Sequence, residues 1–183
     1  MKDGALSRLR LLLAIAAVML LLQLGNSLSG YALNGLGLVP RHPQALAGIL
    51  FSPWLHGSWA HLLSNLSGLL PLGCLVLLRS RRDFLLASAW IIFGSGLLVW
   101  LFGRTGVHVG ASGWLFGFWG LLLARAWFDR SLLDLLLALL VFLLYGGWLF
   151  GLLPREGVSF EYHLAGAFCG VLYAAFSRRR KGR

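Results

Sequence analysis

Long apolar segments separated by short polar links limit what this chain can fold into. Hydrophobic residues make up 58% of its 183 residues and charged residues 12%, whereas soluble domains carry about 25% charged residues. A helix needs roughly 20 apolar residues to cross a bilayer. Six segments approach that length: 9–28, 59–78, 84–102, 111–128, 132–152 and 162–176. The sequence therefore predicts an all-α membrane protein, a six-span bundle forming one domain over residues 1–183 with a short basic tail at 177–183.

Three further features fit a chain that stays in the membrane. The first segment follows a basic stretch, but it is too long for a signal peptide and no cleavage site is evident, so we expect a retained span. Cys74 and Cys169 lie inside apolar runs, which predicts buried thiols and not a disulfide or metal site. The link 31–58 carries three prolines and several apolar pieces, which favours a structured loop partly embedded in the interface.

The positive charges predict how the spans are oriented. If successive spans alternate in direction, thirteen of the sixteen Lys and Arg residues lie on one side and only Arg41, Arg104 and Arg155 on the other. Positive charge accumulates on the cytoplasmic side of membrane proteins, so both termini are predicted to be cytoplasmic. Most of the net charge of +10 is then explained by the orientation of the spans in the membrane. A nucleic-acid partner is not expected, because no soluble module with interleaved aromatic residues accompanies the basic tail.

Polar residues interrupt the apolar segments at three places. Ser112 begins the fourth segment, His163 begins the sixth, and His56, His61 and Asn65 surround the start of the second. In the predicted topology all of them share one depth, in the outer leaflet. Polar side chains at membrane depth are costly and often functional. Their convergence predicts a site there.

Small residues form stripes on the fourth and sixth segments. Such stripes let helices pack closely in membranes, and glycines beside Ser112 would also admit a substrate backbone. The pattern alone leaves both interpretations open. If the stripes pack together, the starts of the two segments meet, and Ser112 meets His163. The stripes comprise Gly110, Gly113, Gly117 and Gly120 on the fourth segment, and Gly166 and Gly170 on the sixth.

A serine beside a histidine predicts nucleophilic catalysis. His163 as a base would take the Ser112 proton and return it to the leaving amine. A structural hydrogen bond between helices is the alternative role for this histidine. Neither Glu161 nor Asp134 is well placed as the acid of a catalytic triad, so the sequence favours a Ser–His dyad.

His61 and Asn65 are four residues apart and therefore share one helical face. Such a pair, together with the backbone N–H of Ser112, suits an oxyanion hole. His56 is offset by five residues, which is poor spacing for a metal site, so no metal or other cofactor is expected. Hydrogen bonding between helices is the alternative for all three side chains, and His56 could brace the long link. His42 and His108 are assigned no chemistry, and Trp54, Trp59 and Trp148 are expected near the rim of the site.

Together these residues resemble the rhomboid family of intramembrane serine proteases, and the likeness covers about residues 9–176. The family pattern is His-x4-His-x3-Asn on the second core span, Gly-x-Ser-Gly at the start of the fourth, and His followed by small-x-x-x-Gly on the sixth. Phe116 matches a position where the family often carries Phe or Tyr packed against the base. The Trp-Arg motif that many members carry in the first long loop is missing from residues 44–51.

The resemblance implies a Ser112–His163 dyad protease that cuts single-span membrane proteins in the lipid bilayer near its outer face. It also implies a minimal bacterial form, located in the cytoplasmic membrane. The alternative is a non-catalytic rhomboid-like protein that binds membrane clients; loss of the serine or histidine would have favoured it. A transporter is disfavoured, because no intramembrane acidic cluster or matching half-repeat is evident.

Overall fold

The computed structural model describes residues 4–155 and 157–178, and the regular elements of this part are helices joined by irregular links. Short 3₁₀ turns interrupt the links, and a single antiparallel bridge joins Leu38 to His108. The α-helices are α1 Ala5–Leu28, α2 Gly48–Phe51, α3 Trp59–Leu77, α4 Arg81–Phe102, α5 Ser112–Phe128, α6 Leu132–Tyr145 and α7 Phe160–Phe176.

Among the described residues, four stretches of helix are long and apolar enough to cross a membrane: α1, α3, α4 and residues 132–152. The predicted fourth and sixth spans correspond to α5 and α7, which have 17 residues each. At about 1.5 Å per residue these two helices are about 25 Å long, against a hydrocarbon core of about 30 Å. The all-helical prediction is therefore confirmed, whereas the number of spans is supported for four of the six.

Helix ends differ from the predicted span limits at several places. Helix α1 begins at Ala5, before the predicted start at residue 9, and α4 begins at Arg81, because Ser80 caps it by accepting a hydrogen bond from Asp83 N. The fifth segment is not one α-helix. It changes at Gly146 to a 3₁₀ segment, Gly146–Leu152, where two successive glycines weaken the helical preference.

Helix α5 lies at the centre of the bundle, against α3, α4, α6 and α7. Most of its side chains are buried, and Phe118 and Leu121 are fully so. The closest packing is with α7, where a Cβ added to Gly166 would overlap Gly113 O, and one added to Gly170 would overlap Gly117 O. The predicted packing of the two small-residue stripes is confirmed.

Ion pairs tie the helices together at one end of the bundle, here called the ion-pair end. Arg125 is buried and pairs with Asp83 at 2.5 Å, and Arg79 pairs with Asp129. The Tyr173 hydroxyl donates to Asp83 Oδ1 at 3.2 Å. These contacts join α3, α4, α5 and α7, and the charges compensate one another where burial would otherwise be costly.

The opposite end, here called the site end, is held by the link between α1 and α3. Asn26 at the end of α1 donates from Nδ2 to Asn34 Oδ1 at 2.9 Å and to His56 O at 3.3 Å. Helix α2 packs on α4, where a Cβ on Gly96 would stand 2.8 Å from Ile49 Cγ2. The prediction of a structured link is confirmed.

The prediction for the cysteines was half correct. Cys169 is buried, with its sulfur against Gly94 of α4. Cys74 is exposed, because it lies on the face of α3 that turns away from the other helices. An apolar segment can be buried by lipid as well as by protein, and the composition of the segment does not separate the two.

We predict that Gly170→Ala destabilises the protein, because its Cβ overlaps backbone atoms of α5 that cannot rotate away. Overpacking of this kind costs typically about 1–3 kcal/mol. Gly25→Ala in α1 is the matched control, since nothing lies within 4 Å of its added Cβ. Thermal unfolding of the detergent-solubilised protein is the measurement. A Gly170→Ala protein as stable as Gly25→Ala would show that the two helices are not in tight contact.

Candidate active site

A cavity of about 780 Å³ opens at the site end of the bundle. Its walls come from α3, α5, α7, the 3₁₀ segment and the links before Ser112 and before α7. The residues singled out from the sequence that line it are His61, Asn65, Ser112, Phe116, Trp148 and His163. Four distant parts of the chain thus contribute to one concave surface, as is usual for ligand and substrate sites.

Ser112 is the first residue of α5, and the glycines beside it make room for protein groups. Gly110 has φ +118°, and a Cβ on it would stand 2.6 Å from His61 Nε2. A Cβ on Gly113 would overlap the ring of Tyr162. The glycines therefore let His61 and Tyr162 approach the turn that carries Ser112, so close packing is one role that they have.

His163 lies on the first turn of α7 with its ring orientation fixed by two contacts. Its Nδ1 is 2.7 Å from the carbonyl oxygen of Gly151. A carbonyl can only accept, so Nδ1 carries the proton, and Nε2 of the neutral ring bears the free lone pair. The ring also stacks on Phe116, with centroids 4.1 Å apart and planes at 7°. Phe116 packs in turn on Trp148 at 5.0 Å.

Ser112 and His163 face the same cavity, but no hydrogen bond joins them in this structure. The contact between α5 and α7 brings their helix starts together, and the free Nε2 has the chemical character of a general base. Catalytic hydrogen bonds are often long without substrate and shorten when substrate binds. The arrangement therefore places a serine hydroxyl and a basic ring nitrogen on one cavity without a bond between them.

Asn65 and His61 lie on one face of α3, as predicted. Asn65 is buried, donates from Nδ2 to His61 O at 2.8 Å, and has no partner for its Oδ1. One N–H of the amide group is used within the helix, which leaves the second for the cavity. The backbone N–H of Ser112 is a further donor, because the first N–H groups of a helix have no partner within it.

His56 precedes α3, so the helical offset assumed from the sequence does not apply to it. Its ring contacts that of His61 edge to face, with centroids 5.0 Å apart. Burial and the neighbouring His61 lower the pKa of His56 to about 3, so the ring is neutral. Its Nε2 accepts from Ala111 N at 3.4 Å. His56 thus braces the turn that carries Ser112.

Among residues 4–155 and 157–178, no three His, Cys, Asp or Glu side chains cluster as metal ligands would.

No sequence pattern indicated the polar contacts that hold the turn before Ser112 and the start of α7. His108, which was assigned no chemistry, donates from Nε2 to Arg104 O at 2.9 Å and accepts at Nδ1 from Ser159 Oγ at 2.6 Å. Tyr162 bonds to Ser52 at 2.9 Å, and Arg104 pairs with Glu161. The partners in the His108–Ser159, Tyr162–Ser52 and Arg104–Glu161 pairs are more than 50 residues apart in the chain, so spacing could not reveal them.

The acidic residues and the remaining tryptophans are occupied elsewhere. Glu161 pairs with Arg104, and Asp134 lies at the start of α6, where it bonds Ser131. Of the tryptophans expected near the rim, Trp148 lines the cavity, whereas Trp54 packs against Trp114 with centroids 6.0 Å apart and Trp59 is outside the lining. The sequence analysis did not identify the hydrogen-bond partner of His163, the Gly151 carbonyl. No side-chain motif could indicate a backbone group.

Comparison with known proteins gives matches to one family. A family model described as Rhomboid domain matches residues 43–180. An uncharacterized protein of Mycobacterium tuberculosis is 38% identical over 184 residues, covering 94% of this chain and 77% of that protein. An uncharacterized protein of Mycobacterium leprae is 34% identical, covering 89% and 68%. RHOMBOID-like protein 1 of Arabidopsis thaliana is 32% identical over 127 residues, covering 65% of this chain and 31% of that protein.

Proposed function

Because this chain belongs to the rhomboid family, a family of intramembrane serine proteases, we propose that it is an integral membrane serine endopeptidase. Its substrates are membrane proteins, which it cleaves within a transmembrane segment near the outer face of the membrane. The observation that carries the proposal is the placement of Ser112 and His163 on one cavity, with the Nδ1 proton of His163 held by a carbonyl oxygen.

The proposed reaction is a two-step acyl transfer. His163 Nε2 takes the proton from Ser112 Oγ as the oxygen attacks the scissile carbonyl carbon. The protonated ring then delivers this proton to the leaving amine, and the acyl group stays on Ser112. A water molecule, deprotonated by the same Nε2, attacks the acyl carbon, and the ring returns this proton to Ser112 Oγ as the acid product leaves. Asn65, His61 and the Ser112 N–H would stabilise the oxyanion in both steps.

Six spans and cytoplasmic termini are part of the proposal. Helices α5 and α7, with 17 residues each, reach the lower limit of about 17–25 residues for a span. The ion-pair end carries Arg79, Arg125 and the start of α1, which favours placing it in the cytoplasm of a bacterium. The basic residues 179–183 that contribute to this charge asymmetry lie outside the described residues.

Reporter fusions test this orientation. Fusions after Arg82 and after Arg130 are expected to report the cytoplasm, because the positively charged links resist translocation. Fusions near His42 and Thr105 are expected to report the far side. Alkaline phosphatase and green fluorescent protein give opposite signals on the two sides. An exchange between the two sets would contradict the proposed sidedness of the cavity.

The proposed substrates are single-span membrane proteins whose helix is weakened near the outer third of the span. The carbonyl groups of an intact helix are hydrogen-bonded internally, so the segment must unwind before Ser112 can attack. Gly, Pro or polar residues make unwinding easier. A small residue is expected before the scissile bond. The crowding of Ser112 by His61 and Tyr162, through Gly110 and Gly113, supports that expectation.

A second candidate is a non-catalytic rhomboid-like protein that binds membrane clients. The absence of a hydrogen bond between Ser112 and His163 favours it. A client-binding protein needs the cavity but not a reactive serine. Reaction of Ser112 with a serine-directed phosphonate therefore separates the two candidates.

We predict that Ser112→Ala abolishes cleavage and labelling by a fluorophosphonate probe. The change removes one hydroxyl group, and water cannot replace the covalent step. The assay uses the full chain in detergent or liposomes with a single-span substrate. A substrate variant whose helix-weakening residues are replaced by Leu is the matched control, expected to insert normally and resist cleavage. Appreciable cleavage by Ser112→Ala, or no labelling of the wild type, would reject the protease proposal.

We predict that Asn65→Ala lowers turnover more than substrate binding, because its amide matters most when the oxyanion forms. The expected loss is on the order of 10²–10³ in rate, and His61→Ala should act in the same direction. Ser67→Ala, an exposed change on the same helix, is the control and should keep wild-type activity. Steady-state cleavage and probe labelling are measured together, and labelling should partly survive in Asn65→Ala. Weaker binding with unchanged turnover would assign Asn65 to docking instead.

A further inference from the structure

The proposed base donates a hydrogen bond from its ring to a backbone carbonyl. Among the described residues, Nδ1 of His163 bonds to the Gly151 carbonyl at 2.7 Å. In serine hydrolases with a triad, a carboxylate holds the corresponding proton. Here the neighbouring carboxylate, Glu161, is engaged by Arg104. The 3₁₀ segment after α6 therefore supplies the group that a third side chain would otherwise provide.

We propose that Gly151 is a positioning residue whose carbonyl oxygen fixes the tautomer and ring plane of His163. The inference rests on the proposed function, in which Nε2 must be free to accept the Ser112 proton. The Gly151 carbonyl cannot donate, so it stabilises only the ring form with the proton on Nδ1. In a triad, loss of the orienting carboxylate lowers turnover by about 10⁴ through the wrong tautomer. A neutral carbonyl does the same task without placing a negative charge in the cavity.

Space, and not backbone conformation, explains why residue 151 is glycine. Its φ lies outside the left-handed region, so alanine could adopt the same backbone. A Cβ there would stand 2.8 Å from Phe116 Cζ and 3.5 Å from His163 Nδ1. Gly147, in the same 3₁₀ segment, has nothing within 4 Å of an added Cβ. The chain therefore offers a matched pair of glycines, one against the base and one in open space.

A stack of aromatic rings fixes the position of the Gly151 carbonyl relative to the His163 ring. Trp148 of the 3₁₀ segment packs on Phe116, and Phe116 packs on His163. Trp148 also meets α3, where a Cβ on Gly68 would stand 2.7 Å from its ring. The segment otherwise continues α6, and only 11% of residues in the apolar window of 132–152 are buried, compared with 50% for α3. Its aromatic contacts are therefore the main restraint on the position of the Gly151 carbonyl.

The first test compares Gly151→Ala with Gly147→Ala in the full chain in detergent. We expect Gly151→Ala to lower kcat at least 10-fold with KM changed less than 3-fold, and Gly147→Ala to match the wild type. Thermal unfolding of both variants accompanies the kinetics. Equal kcat in the two variants would overturn the proposal.

A backbone ester provides a second test that adds no atoms to the site. Replacing Leu152 with its α-hydroxy acid turns the Gly151 carbonyl into an ester carbonyl, a weaker acceptor. The matched control is the same replacement at Leu153, whose N–H also bonds within the segment, to Phe150 O at 3.3 Å. We expect kcat to fall at least 5-fold for the first ester and less than 2-fold for the second. Equal effects of the two esters would count against the carbonyl even if Gly151→Ala failed to fold.

The third readout does not depend on activity. Nitrogen-15 NMR of histidine-labelled Ser112→Ala protein, with His163→Ala for assignment, reports which ring nitrogen is protonated. At neutral pH we expect a protonated Nδ1 and a free Nε2, and a mixed population in the Leu152 ester. A proton on Nε2 in the unmodified backbone would overturn the inference. Cleavage surviving in Ser112→Ala would instead reject the protease proposal and leave the tautomer measurement valid.

Discussion

The close contact between α5 and α7 depends on glycine residues, whose lack of a side chain lets the two backbones meet. In lipid, helices gain little from hydrophobic burial against each other, so close van der Waals contact between backbones becomes important. Gly166 and Gly170 on α7 meet the carbonyl groups of Gly113 and Gly117 on α5. This approach brings the start of α7 to the start of α5. The candidate nucleophile and base share one cavity because of it.

Polar groups are concentrated at the two ends of this packed pair, where the cost of burying them is offset by partners. At the ion-pair end, Arg125 and Asp83 compensate each other. At the site end, His56 and His108 use ring nitrogens to hold the turn before Ser112 and the start of α7. Some buried atoms at these ends have no hydrogen-bond partner among the described residues, including Oδ1 of Asn65 and Nδ1 of His56 at the site end and Nε of Arg125 at the ion-pair end, so the compensation is incomplete.

The position of the base rests on a longer chain of contacts than that of the nucleophile. Ser112 is fixed by the helix that it begins, and this helix is the most buried part of the bundle. His163 contacts Phe116 of α5 and the Gly151 carbonyl of the less buried 3₁₀ segment, and Trp148 of that segment packs on Phe116. In the proposed mechanism, the reactivity of the serine would therefore depend on how well the segment after α6 is held.

The sequence by itself determined the helical class, the placement of the apolar segments and the choice of Ser112, His163, His61 and Asn65, because hydrophobic runs and costly polar residues are local properties. It also predicted that the glycine stripes could pack together. Tertiary structure decided which faces are buried, as Cys74 shows, and which backbone carbonyl meets His163. Those outcomes depend on pairs of residues far apart in the chain and on backbone atoms. Backbone atoms are the same at every position, so no residue pattern could specify the Gly151 contact.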